Sequence, residues 1–287
     1  MTASIPPPEP QTEAERAARR STTVVCLSKL PPFHAAALKL LNISSESDSA
    51  MADFEEVFRS DPALTADLLL VANSPLFGNR AKIASIRHGL SHLGLERVRS
   101  LASTIALSFF VRNQPRTAFV RHIWAHSVAT AVISEALGDL YKVRDLYTAG
   151  LVHDLGRLGL LLTVGPTYET LISAPFSSIE EANDLERSRF GMNHCEAGSL
   201  VGHKWAFPVV LRSCMIGHHA GEPAPPNDPL TLVSMACQLA DAAGFPEIDL
   251  QGELPALELP QKVAACPALD LERLRAQITA QIETIGR

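Results

Sequence analysis

The pattern that most restricts this chain is where its apolar residues fall. From Val24 onward they recur three and four positions apart, and no clear run alternates as a half-buried strand must. Start and stop signals divide that pattern into helices. Pro31-Pro32 can open one whose stripe is Phe33, Ala36, Ala37, Leu40 and Leu41, because a proline in the first turn gives up no needed N–H. A helix over Met51–Ser60 stops at Asp61-Pro62, where Asp61 can cap and Pro62 can enter the first turn of the next helix, which ends at Ser74-Pro75. Ser85 is placed to cap a helix containing Ile86, Leu90 and Leu93 that breaks at Gly94, and Leu95–Val111 follows as a long apolar helix. The second half reads as helix over Ala118–Leu140, Leu146–Leu162, Ser178–Phe190, His194–Trp205, Val209–His218 and Leu230–Ala243, with a final amphipathic stretch at Leu269–Ile285. The predicted class is all-α, a helical bundle.

With 287 residues, of which 46% are hydrophobic and 20% charged, the chain can bury a core as one large domain or two intimate ones. Residues 1–22, with Pro6-Pro7-Pro8 followed by charges, are expected to be a disordered leader, and 246–287 a C-terminal helical tail. Apolar runs such as Leu158–Val164 are too short for a bilayer span, and the N-terminus has no signal-peptide core. A cytoplasmic protein without a membrane partner is expected. A net charge of -6 argues against a dedicated nucleic-acid binder, and Arg87, Arg97 and Arg99, which flank one helical region, read as a solvated face. Cys26, Cys195, Cys214, Cys237 and Cys266 are scattered and lack C-x-x-C spacing, which argues for a reducing compartment over a disulfide framework or zinc module.

One set of residues asks for a joint explanation. His122 and His126 are spaced to share a helix face, His153-Asp154 closes an apolar helical run, and His194 starts a helix just after Gly191. His218-His219 ends another helix, and Asp241 sits in an Ala-rich one. Imidazole nitrogens with carboxylate oxygens suit iron, manganese, zinc, nickel or cobalt. A carboxylate can also be shared by two ions, which makes Asp154 the candidate bridge. Each residue taken singly has an ordinary explanation, and His34, His88, His92 and His203 are assigned to it. The combination is what points to one or two divalent ions, since burying several such groups without a cation is costly.

At these same residues the chain resembles the HDOD domain, a bacterial signalling module related to the metal-dependent HD hydrolases. The likeness is carried by LPPFHAAALKLL (residues 30–41), SDPALTADLLLVANSPLFG (60–78), SIRHGLSHLGLERVRSLA (85–102), WAHSVATAV (124–132), AGLVHDLGRLGLL (149–161), ERSRFGMNHCEAGSLVGHKWAFP (186–208), His218-His219 and Ala240-Asp241. It implies a front helical lobe over about 23–115 packed on an HD-like helical bundle over about 116–245. It also implies that His126, His153, Asp154 and Asp241 match the four HD-type ligands of a first ion. His194 and His218 would hold a second, with Asp154 bridging. His219 matches a neighbouring position, and His122 falls where HD-GYP phosphodiesterases often place a further carboxylate ligand.

Two departures from those enzymes bear on activity. Arg157 replaces the lysine of HD-x-G-K, and the chain runs Ala220-Gly221-Glu222-Pro223 where a Gly-Tyr-Pro loop would follow the histidine pair. Cyclic di-GMP hydrolysis is therefore not expected. Two readings stay open. One is a non-catalytic regulatory module that binds a signalling protein or a small phosphate-containing ligand. The other is a metal-dependent phosphohydrolase in which Asp154 serves the metal and Arg157 steadies a phosphate; Arg189 and Lys204 read as surface charge.

Overall fold

The computed structural model describes residues 12–74, 82–112, 117–220, 225, 227–251, 263, 266 and 269–285. Within them the chain is all-α, as the apolar spacing requires, and the one bridge between extended residues is the isolated parallel pair Phe176–Leu250. No helix among the described residues is long and apolar enough to cross a membrane.

The front lobe is built from α2 (Ala35–Asn42), α3 (Ala50–Arg59), α4 (Pro62–Ala72), α5 (Ile86–Leu93) and α6 (Leu95–Arg112), with α6 touching all the others. The capping signals act as read. Asp61 accepts the Leu64 N–H at 2.9 Å with Pro62 in the first turn, and Ser85 Oγ accepts the His88 N–H at 3.2 Å. Gly94 ends α5 at φ 84°, a conformation that favours glycine.

The opening of α2 differs from expectation. The helix starts at Ala35, not at Pro31-Pro32, because the segment before it is held elsewhere: Trp205 Nε1 donates to Pro31 O at 3.0 Å and Lys204 Nζ donates to Leu30 O.

The second half centres on α7 (Ala118–Tyr141), in which every residue from His126 to Ser134 is buried. A helix covered on all sides over two and more turns belongs in the middle of its layer. Packed on it are α8 (Leu146–Val152) and α14 (Pro229–Ala242), while α12 (His194–Lys204) lies between α9 (Leu155–Val164) and α13 (Val209–Gly217). The predicted helix Leu146–Leu162 is thus two helices that part at His153-Asp154. A short helix, α10 (Pro166–Ile172), follows Gly165 and was not foreseen. Then comes α11 (Ile179–Phe190), which ends at Gly191.

The leader expectation fails for residues 13–22, while 1–11 lie outside the described residues. Glu13–Ser28 form α1, whose start is secured by a capping box between Thr12 and Glu15. Its buried face, Thr23 and Leu27, packs on α9, α11 and α12, so that residues 23–28, assigned to the front lobe, lie against the second half instead. Thr23 donates to Phe190 O at 2.8 Å, and Arg20 pairs with Glu196 at 2.7 Å. The charged composition concealed a helix whose partners are remote in sequence. In the tail, α15 (Leu271–Ile285) packs back onto α7, with Leu274 and Ile278 buried. One contiguous apolar cluster runs from Leu27 to Ile278 through both halves.

Candidate metal centre

Helix ends, not helix middles, bring most of the functional side chains together. His153 caps the C-terminus of α8 and Asp154 the N-terminus of α9, His194 opens α12, and His218 closes α13. Only His126 comes from mid-helix, on α7. The five are between 1% and 3% exposed, so none is solvated.

The rings form a chain of close contacts. Centroids are 5.2 Å apart for His126–His153, 4.8 Å for His153–His218, 5.5 Å for His194–His218, 5.3 Å for His194–His219 and 4.1 Å for His218–His219. Four of these imidazoles have Nδ1 against an acceptor. His126 Nδ1 donates to Phe245 O at 2.8 Å, His153 Nδ1 to Gly150 O at 2.7 Å, and His218 Nδ1 to Cys214 O and Met215 O, both at 3.1 Å. His194 Nδ1 donates to Glu186 Oε2 at 2.8 Å. A carbonyl or carboxylate oxygen only accepts, so the proton of each neutral ring resides on Nδ1 and Nε2 keeps its lone pair. That is the arrangement found behind metal-ligating histidines.

Electrostatics agree. Burial depresses His126 to about 4 and pushes His153, His194 and His218 below the ordinary histidine range, which keeps all four neutral. Burial also raises the Asp154 carboxyl well above its usual range, although the Arg157 guanidinium works against that, and burial together with Glu247 lifts Asp241 to about 8. Against its own burial, Glu186 is held down to about 2 by His194 and Arg157.

The donor atoms gather in sets whose members lie within 4.8 Å of one another: His194, Cys195, His218 and His219; His126, His153 and Cys237; His126, Asp154 and Glu247; and His219, Cys237 and Glu247. Asp154 reaches between the first and third sets, since its Oδ1 is 3.6 Å from His194 Nε2. That oxygen is buried and has no hydrogen-bond partner. A buried carboxyl oxygen without a hydrogen-bond partner, beside imidazole lone pairs, is satisfied by a cation that takes the place of a proton, so the residues present fit a divalent ion of borderline softness.

Two predicted candidates stand outside the gathered sets. His122 is one turn before His126 with its Nε2 buried and without a hydrogen-bond partner. Asp241 Oδ1 lies 3.5 Å from His126 Nδ1 and accepts the Glu247 N–H at 3.0 Å.

The HDOD domain matches residues 30–221. The chain belongs to the HDOD family. This HDOD chain is 22% identical over 268 residues to an uncharacterized protein of Treponema pallidum (strain Nichols), a match that takes in 91% of the chain and 49% of the relative. It therefore spans about half the length of the curated relative it matches. Among solved structures it resembles a candidate signal-transduction protein from Marinobacter aquaeolei VT8 (19% identity, 95% of this chain and 67% of that one, TM-score 0.73). It also resembles an HDOD domain protein of unknown function from Geobacter sulfurreducens (21%, 93% and 94%, TM-score 0.68). A candidate phosphohydrolase from Shewanella amazonensis SB2B is similar as well (20%, 93% and 96%, TM-score 0.63). At these identities the likeness is one of fold.

The HDOD chain puts Arg157 to a use its sequence did not indicate. The guanidinium is fully buried, with Nε 2.8 Å from Asp154 Oδ2, one terminal nitrogen 3.1 Å from Glu186 Oε1 and the other 2.6 Å from Glu247 Oε1. Tyr168 completes the cluster by donating to Glu186 Oε1 at 2.7 Å. Arg157 is an internal counter-ion for three carboxylates, where the lysine of HD-x-G-K was expected to give way to a phosphate-facing cation.

Sequence reasoning missed Glu186, Glu247 and Cys237. Glu186 could have been suspected, because it stands eight residues before His194 across a turn that Gly191 closes at φ 76°. Nothing in the residues around Glu247 or Cys237 signals their role.

Proposed function

We propose that this protein is a regulatory module of bacterial signal transduction whose buried histidine–carboxylate centre holds one or two divalent transition-metal ions. In this reading the ion is structural and regulatory, and the helical surface meets a signalling protein or a small phosphate-containing ligand. The observation that carries the reading is the state of Arg157. A group meant to steady a substrate phosphate needs an open face, yet all three guanidinium nitrogens are on buried carboxylates. The burial of His126, His153, Asp154, His194 and His218 supports the same conclusion. Nucleic acid is disfavoured as a partner, because Arg87 pairs with Glu55, Arg97 with Glu135 and Arg99 with Asp145.

One observation favours a second reading, a metal-dependent phosphohydrolase. Asp154 stands between two donor sets, as the shared ligand of a two-ion site does. When bound, such ions lower the pKa of a water and clamp a phosphate. The chain's own part would be to hold the histidines with Nε2 unprotonated and to keep Asp154 aligned through Arg157.

Metal analysis of the purified protein tests the first statement. A stoichiometric transition metal is expected, and Asp154→Ala should abolish it. A phosphatase and phosphodiesterase screen with added manganese separates the two readings. Metal-dependent turnover that Asp154→Ala removes would establish the enzyme; none is expected.

A further inference from the structure

The aspartate that the family resemblance groups with His126, His153 and Asp154 is turned to another task. Asp241 approaches His126 on its Nδ1 side, where the ring already donates to Phe245 O, and it uses Oδ1 to accept the Glu247 N–H. It enters none of the gathered donor sets among the described residues. Glu247 enters two of them, one with His126 and Asp154 and one with His219 and Cys237. Its side chain is 1% exposed, Oε1 is 2.6 Å from Arg157, and Oε2 is 3.0 Å from His219 Nε2 and 3.4 Å from Cys237 Sγ.

The loop that presents Glu247 is fixed on both sides. Before it, Phe245 O receives the His126 proton; after it, Phe176 N donates to Asp249 O at 3.0 Å and Gln251 N donates to Phe176 O at 2.7 Å. A carboxylate on a loop pinned in this way is preorganised as a ligand. The independent sign that a cation belongs beside it is the buried, unpartnered Oδ1 of Asp154, a member of the same set.

We infer that Glu247, not Asp241, supplies the carboxylate that completes the His126–Asp154 ion site, and that Asp241 is a positioning residue for the Glu247 loop. The inference rests on the metal-binding reading above.

The full chain, stripped by a chelator and titrated with manganese, tests it by calorimetry and bound-metal analysis. Asp241→Asn should weaken binding by no more than about 10–100-fold, as the loss of a supporting contact does, and Glu247→Gln, which removes a ligand, by clearly more. An Asp241→Asn loss equal to or larger than that of Glu247→Gln overturns the assignment, as does binding that Glu247→Gln leaves unchanged. Wild-type protein that takes up no ion overturns this inference and the metal site together.

Because Glu247 also neutralises Arg157, Glu247→Gln is checked for folding by circular dichroism. Crystals of the unmodified chain grown with manganese give a readout that needs no variant. An anomalous peak bonded to Glu247 supports the inference; a peak bonded to Asp241, with Glu247 left on Arg157 alone, overturns it.

Discussion

His126 and His153 turn their Nε2 atoms toward each other at 3.3 Å, while the Nδ1 proton of each is donated to a backbone carbonyl. Two neutral imidazoles in that arrangement oppose lone pair to lone pair. The nearest hydrogen donors, Thr130 Oγ1 at 3.4 Å and Cys237 Sγ at 3.5 Å, are long or weak. Protonating one ring would make a hydrogen bond, but burial holds His126 down to about 4. A divalent ion resolves the opposition without a proton.

Acid should destabilise the chelated protein. His126, His153, His194 and His218 all have folded pKa values below the unfolded one, so from about 6.5 down to their folded values (about 4 for His126) these four rings bind more protons in the unfolded chain than in the folded chain. Their contribution is complete above about 6.5 and is lost as pH falls through that window. Asp154 and Asp241 are raised and act in the opposite sense, but they are two against four. The four rings outweigh the two carboxyls only once the unfolded histidines are mostly protonated, so the melting temperature should fall from about pH 6 to about pH 5, followed by differential scanning calorimetry in a chelating buffer. A melting temperature that rises over that interval would refute the assignment of neutral rings.

Arg157→Met should be among the most damaging single changes. It leaves Asp154, Glu186 and Glu247 buried without their shared counter-ion, a loss of about 3–5 kcal/mol by analogy with broken buried pairs. Arg157→Lys keeps the charge but not the planar fork that meets three carboxylates, and should fall between the two. Urea unfolding of the three proteins measures the order.

Glu186→Gln should weaken ion binding while sparing the fold more than Arg157→Met does. Glu186 Oε2 accepts both the His194 backbone N–H at 2.7 Å and Nδ1–H at 2.8 Å, and so sets the tautomer and aim of that ring. Outer partners of this type are worth about 10–100-fold in metal affinity. Manganese isotherms of wild type and variant give the ratio, and a ratio near one would show that His194 is not a ligand.

Gly156→Ala should disrupt the crossing of α9 and α12 that carries Asp154 and His194. A Cβ there would stand 1.8 Å from His194 O and 2.6 Å from Gly198 N, both backbone atoms that cannot swing aside. The cost should reach or exceed the upper end of the about 1–3 kcal/mol typical of overpacking. Thermal denaturation checks it, with Gly165→Ala as a comparison where no atom lies within 4 Å of the added methyl but φ is 57°. There only the backbone strain is felt.

The features set by local chemistry were legible in the residues themselves. Asp61-Pro62 and Ser85 with Gly94 mark helix ends because a side-chain oxygen, a fixed φ and a positive φ act within one turn. His153-Asp154, His194 and His218 were legible as candidates, since each sits where a helical apolar pattern starts or stops and several could not be buried apart. The leader was misjudged because helix α1 depends on Gly191, whose missing side chain admits the Arg20 backbone: a Cβ would lie 2.3 Å from Arg20 N.

The charge balance of the centre was decided by tertiary structure alone. Whether Arg157 faces a phosphate or three carboxylates depends on Glu186, 29 residues away, and Glu247, 90 residues away. The all-α class, those helix limits that a cap or a glycine marks and most of the histidine set were written in short-range spacing, because helices form from contacts three and four residues apart. Which carboxylates stand beside those histidines was not, since electrostatic partnership in a buried site depends on distance in space and leaves no periodic trace along the chain.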